Sequence, residues 1–183
     1  MTSIQKEIQK PHNIVVMTDL ALGDDWAAMM GLCAFAAMNK SIGLHFVGAY
    51  GNRSTEETTR NLSQQIPLLW KQLERESTTC PQVYKGADRA MNSDAPYQVA
   101  QDGIERIIHA DFPTTSMENG PIKPVEALYQ SLLKSNIPIA ILSLGAPTEA
   151  VYATGRLKTR IDQSIAMLGT LTTQGNTDPH REA

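Results

Sequence analysis

Asp19, Asp24 and Asp25 fall within a few residues of one another, just after the apolar run Asn13-Ile14-Val15-Val16-Met17-Thr18. Carboxylates this close repel one another unless a cation or protons neutralise them. One chemistry that wants them together is a hard-cation site built from oxygen ligands. A plainer reading is open beside it: Asp24 and Asp25 stabilise a helix N-terminus through its free N–H groups and macrodipole, and Asp19 is a turn residue.

The elements that must position these acids alternate between strand and helix. Asn13 to Thr18 reads as a strand, and Asp24 to Met38 as a helix apolar on nearly every side, hence largely buried with its methionines as core filler. Leu44 to Tyr50 reads as a second strand, with His45 a structural residue on one face. Ser54-Thr55-Glu56-Glu57 has the form of a capping box and opens a long amphipathic helix through Leu62, Ile66, Leu69, Trp70 and Leu73, with a kink expected at Pro67. Pro124 to Leu133 reads as another amphipathic helix. Ile139-Ala140-Ile141-Leu142-Ser143-Leu144 is a continuous apolar run of the kind buried on both faces in a parallel sheet, and Ser164 to Gly169 is a further strand. Asp88 to Asn119 is polar and rich in turn formers, with a short helix over Gly103 to Ala110. This alternation predicts a mainly parallel, doubly wound α/β sheet with helices on both faces. Asp19, Asn52, Thr148 and Asn176 each follow a predicted strand, so they should gather along one edge, where open α/β sheets bind ligands.

Composition narrows the partners. The 183 residues, 42% hydrophobic, suffice for the core of one domain, taken as residues 1–183. A net charge of −3 and a pI near 5.8, with scattered Lys and Arg, leave no basic stripe for nucleic acid. Met1 to His12 is polar and no apolar run is long enough to span a bilayer, so a soluble, cytoplasmic protein acting on a small molecule is expected. The two cysteines, Cys33 in an apolar helical pattern and Cys80 beside Pro81, lack metal-type spacing and read as reduced thiols, Cys33 in the core.

The run ending in Asp19, with Asp24-Asp25-Trp26-Ala27 after a short turn, resembles the N-terminal signature of the inosine-uridine preferring nucleoside hydrolases: strand, Asp, Pro-Gly-type turn, Asp-Asp-Ala. Here the turn Leu20-Ala21-Leu22-Gly23 is one residue longer and lacks Pro-Gly, and Met17 stands where the family usually has a further Asp. Later segments continue the resemblance. Gly51-Asn52 and Arg60-Asn61 are similar to the family's second signature, Pro81 to Ala87 to its short third strand running into a Gly-Ala loop, and Gly145-Ala146-Pro147-Thr148-Glu149 to its Gly-Pro-Leu-Thr-Asn loop. Met167-Leu168-Gly169 echoes its Met-Gly-Gly, and Gly175-Asn176 with Glu182 opens its Gly-Asn…Glu-Phe-Asn loop. The chain as given ends before that loop's final Asn and before the part in which the family carries a His-Asp pair.

What the resemblance implies is Ca2+-dependent hydrolysis of the N-glycosidic bond of ribonucleosides. Asp19 and Asp25 would ligate the metal together with the backbone carbonyl of Thr148, and Asp19 would also be the general base for the attacking water. Asp24 and Asn52 would hold the ribose diol, and Asn176 and Glu182 the other side of the sugar. His109 lies near the family's nucleobase-side His-Gly, though a histidine on an exposed helix is the plainer reading; none of His12, His45, His109 and His180 matches the leaving-group acid. Family members usually associate, which implies a homo-oligomer. A non-catalytic Ca2+- and ribose-binding homologue is the alternative. A Mg2+ phosphohydrolase is the third reading, and it would want an acid two residues after a nucleophilic Asp, where Leu20-Ala21 offers none.

Overall fold

The structure, a computed structural model, describes residues 12–20, 23–51, 54–73, 80–88, 122–145 and 147–167, with the side chains of 23 and 24 outside the description. β1 (His12–Thr18) is followed by α1 (Gly23–Met38), β2 (Ile42–Gly48), α2 (Thr55–Gln72) and β3 (Gln82–Lys85). A two-residue β4 (Lys123–Pro124) leads into α3 (Val125–Lys134), then β5 (Ile139–Ser143), α4 (Thr148–Leu157), a 3-10 turn (Lys158–Arg160) and β6 (Ile161–Ala166).

Among the described residues all the strand pairings are parallel, in a six-stranded sheet of order β4-β3-β2-β1-β5-β6. The chain winds outward from β1 through β2 and β3 to β4, then returns to place β5 on the other side of β1. Right-handed crossovers in opposite directions put helices on opposite faces. The two core layers follow. Val16, Phe46, Val83, Met29, Cys33, Leu62, Ile66 and Trp70 pack under α1 and α2. Val15, Met17, Val47, Ile141, Leu128, Leu132, Ala153 and Leu157 pack under α3 and α4. The alternation of Val15 and Met17 with Val16 is the period-two pattern of a strand buried on both faces.

Local chemistry explains the boundaries. Ser54 caps α2, its hydroxyl accepting from the Glu57 amide at 3.2 Å and donating to the Glu57 carboxylate at 2.9 Å. That helix continues through Pro67 to Gln72. Asn39 closes α1 by donating its side-chain amide to the Phe35 carbonyl at 2.8 Å.

Some boundaries differ from expectation. The second strand lies two residues earlier than the run Leu44 to Tyr50, and the last strand spans Ile161–Ala166, not Ser164 to Gly169. α1 is only half buried: Met29 and Cys33 are core, whereas Met30 is exposed and Met38 is 74% exposed, so core filling holds for Met29 alone of these methionines. Uniform apolarity concealed which side faces the sheet. The helix expected over Gly103 to Ala110 lies outside the described residues. No helix among the described residues is long and apolar enough to cross a membrane.

Candidate active site

The strand order reverses between β1 and β5, so the crevice at a doubly wound sheet's switch point must open where these strands end. Asp19 stands immediately after β1, and Gly145 and Thr148 follow shortly after β5. The ladder carries the two loops outward together: Leu144 N–H donates to Met17 C=O at 2.7 Å, and on the other side Ala49 N–H donates to Thr18 C=O at 2.8 Å.

Asp19 is only 4% exposed, which for a carboxylate demands compensating interactions. Its backbone carbonyl accepts from the Thr58 hydroxyl of α2 at 3.1 Å. Two glycines close around it. A Cβ on Gly51 would overlap the Asp19 carboxylate, lying 2.7 Å from its Cβ and Cγ, and one on Gly145 would lie 2.9 Å from its backbone nitrogen. Only glycine lets both loops approach this closely. The next residue, Leu20, has φ 51, a left-handed conformation that costs a leucine roughly 1–2 kcal/mol, and its N–H is held by the Thr18 hydroxyl at 2.9 Å. Such strain is concentrated at functional turns, and here it follows the acid directly.

Asp25, in the first turn of α1, is likewise 4% exposed. Thr148 is the first residue of α4. The backbone of Asp24 lies in α1 with its side chain outside the description, and Asn52, His109, Asn176 and Glu182 lie outside the described residues. The structure thus brings the Asp19 turn together with the β2-end and β5-end loops that carry Gly51 and Gly145. Arg60, of the Arg60-Asn61 pair, instead forms an exposed pair with Glu56 at 3.1 Å.

Among the described residues no group of His, Cys, Asp and Glu side chains converges as a metal set. The donors present still suit a hard cation: two buried carboxylates, Asp19 and Asp25, and a cradle around Asp19 that a Cβ would fill. Neither cysteine belongs to the site. Burial, with a smaller contribution from the neighbouring Cys80, pushes the Cys33 thiol up to about 12, as a core thiol requires.

Sequence reasoning missed the grip of Thr58 on Asp19, the strained Leu20, and Glu149. Glu149 is buried beside Thr148, accepting from the Tyr129 hydroxyl at 2.6 Å and from the Ala87 N–H at 2.7 Å. Burial, and then the adjacent Glu149 charge, raise the Tyr129 hydroxyl well above the usual phenol range. The only advance signal for Glu149 was its departure from the Asn that the family carries after the loop threonine.

Comparison with known proteins agrees with this layout. The chain resembles a purine-preferring ribonucleoside hydrolase from Gardnerella vaginalis at TM-score 0.63 and 21% identity, covering 90% of this chain and 51% of that one. A plant nucleoside hydrolase, PpNRh1, matches at TM-score 0.57 and 21% identity over 87% of this chain and 48% of that one. The type III effector protein XopQ, solved with adenosine diphosphate ribose, matches at TM-score 0.57 and 12% identity over 95% and 50%. At these identities the likeness is one of fold, and the chain spans about half the length of these solved structures. No curated protein matches. Residues 14–183 match the family described as inosine-uridine preferring nucleoside hydrolase, and with a doubly wound sheet that delivers the signature acid to its switch point, the chain belongs to that family.

Proposed function

We propose that this chain supplies the strand-end half of a nucleoside hydrolase site, one that hydrolyses the N-glycosidic bond of a ribonucleoside to ribose and free base. The observation that carries the reading is Asp19, a buried carboxylate at the switch point with glycines pressed against it from the loops on either side. Cleavage passes through an oxocarbenium-like sugar, which calls for a water positioned at the anomeric carbon and groups that grip the ribose hydroxyls. Asp19 is the general base: its carboxylate takes a proton from the water as oxygen bonds to C1′ and the C1′–N bond breaks toward the base. Asp24 and Asn52 hydrogen-bond the ribose diol, and Asn176 and Glu182 hold the far side of the sugar.

Asp19, Asp25 and the backbone carbonyl of Thr148 would hold Ca2+. When bound, Ca2+ supplies positive charge that orients the diol and acidifies water. Asp19 and Asp25 are both buried carboxylates, and hard oxygen donors of this kind are the ligands Ca2+ takes.

The test is ribose release from inosine, uridine, adenosine and cytidine, with and without a calcium chelator, beside Asp19→Asn. Chelator-sensitive release that Asp19→Asn abolishes supports the reading, and the panel identifies the preferred base. Absence of release from a folded chain that still binds Ca2+ overturns the hydrolase reading in favour of a binding-only homologue.

A further inference from the structure

Glu149 follows Thr148 directly and is 2% exposed, yet both of its carboxylate oxygens are satisfied. The bonds from Tyr129 and Ala87, 2.6 and 2.7 Å, are short in the manner of charge-assisted hydrogen bonds. Ala87 lies just past β3, a strand that the sheet order separates from β5 by β1 and β2, so the second bond joins loops that the strands alone keep apart. The same residue is gripped from its other side, its carbonyl accepting from the Thr55 hydroxyl at 2.6 Å. Thr55 opens α2, and one turn on Thr58 donates to the carbonyl of Asp19. The preceding residue is a glycine of necessity. A Cβ on Gly86 would lie 2.7 Å from a Glu149 oxygen and 2.9 Å from the Gly48 carbonyl. A continuous run of hydrogen bonds and one helical turn therefore connects Asp19 to the residue beside Thr148. An Asn at this position, as in the family's loop, is shorter by one methylene and uncharged, so the clamp is a property of this chain's own Glu149.

We propose that Glu149 is a positioning residue: by fastening the Ala87 peptide to the first turn of α4, it fixes Thr148 relative to Asp19. The role rests on the nucleoside hydrolase reading, in which Thr148 and Asp19 hold the same cation.

The experiment compares the wild type with Glu149→Ala, Glu149→Gln and Leu62→Ala, the last placed in the opposite core layer. Two quantities are read: hydrogen exchange at the Ala87 amide in the metal-free chain, and Ca2+ affinity by calorimetry. Glu149→Ala should speed Ala87 exchange about tenfold or more, the loss of a bond to a charged acceptor, and weaken Ca2+ binding by a similar factor. Glu149→Gln, whose amide can accept from Ala87 and donate to Tyr129, should restore both. Leu62→Ala should lower the unfolding midpoint while keeping wild-type Ca2+ affinity, which separates positioning from general destabilisation. If Glu149→Ala does not fold, Glu149→Asn, shorter by one methylene and uncharged, carries the same comparison. Unchanged Ala87 exchange, or Ca2+ affinity equal to wild type in a variant with a broken clamp, overturns the proposal. A wild-type chain that takes up no Ca2+ overturns the functional reading, and Ala87 exchange then still decides whether Glu149 fixes the loop.

Discussion

His45 makes the stability of this protein depend on pH in the mildly acidic range. The ring lies within β2, its Nε2 3.3 Å from the side-chain oxygen of Asn13, an acceptor that makes Nε2 the donor. That leaves Nδ1 unprotonated, and it is buried without a hydrogen-bond partner among the described residues. Protonation would therefore create a buried cation and a donor with nowhere to point. Burial accordingly lowers the imidazole from 6.5 to about 4. The sign follows from proton counting. Between about pH 6.5 and pH 4 the unfolded chain binds a proton here that the folded chain refuses, so stability falls as pH drops through that window and is flat above it. From pH 7.5 to pH 5 this one group should remove about 2 kcal/mol, a large share of a typical domain's stability. The assay is urea unfolding at pH 7.5 and pH 5 for wild type and His45→Gln, which keeps an amide donor for Asn13 and cannot titrate. The variant should lose about 2 kcal/mol less over that interval. Equal acid losses in the two proteins, or an imidazole that titrates near 6.5 in the folded chain, would refute the reasoning. The outcome matters for mechanism, because an acid limb in a rate profile would otherwise be assigned to a catalytic acid.

Other consequences of the geometry can be read in the same apparatus. Gly51→Ala places a Cβ 2.7 Å from Asp19 carbons and should cost about 1–3 kcal/mol in urea unfolding while weakening Ca2+ binding. Gly31→Ala, in a helix with nothing within 4 Å of the new methyl, should stabilise by up to about 1 kcal/mol and leave binding unchanged. Calcium at a hundredfold excess over its Kd should raise wild-type stability by about 2.7 kcal/mol and Asp19→Asn by far less, with a chelator erasing the difference. Tyr129→Phe removes a 2.6 Å donor from the buried Glu149 carboxylate and should cost about 1.5–3 kcal/mol at neutral pH, measured as the shift in urea midpoint at constant m-value.

Much of the fold was legible because its signals are local. The apolar run at Ile139 to Ser143, the β-branched run at Ile14 to Val16 and the Ser54–Glu57 cap each declare an element from a handful of neighbours. β6 was harder. Asp162, Gln163 and Ser164 leave it little hydrophobic signature, and among the described residues it is the last strand of the sheet, with Ile165 64% exposed. Such polar side chains erase the pattern by which a strand is recognised. α1 failed in the opposite way. Trp26, Ala27, Ala28, Met29 and Met30 are apolar on every face, so periodicity had nothing to select the buried side.

The site divides along the same line. Asp19 could be found because a parallel sheet gathers its strand ends on one edge, and a residue just after a strand inherits that address from its position in sequence. What holds Asp19 there carries no such address. Thr58 reaches its carbonyl from 39 residues away, and Glu149 reaches Ala87 from 62 away. Threonine in the first turns of a helix and glutamate beside a helix start both have ordinary local explanations, capping and the macrodipole. Only the folded sheet, by bringing β3, β1 and β5 to one rim, turns them into clamps. The same reasoning locates where such a site can vary. The acid at the strand end is constrained by the switch point itself, whereas the groups that fasten the loops need only the right reach. Replacing the family's Asn with Glu149 therefore leaves the address of the site intact and alters how firmly its two halves are held together.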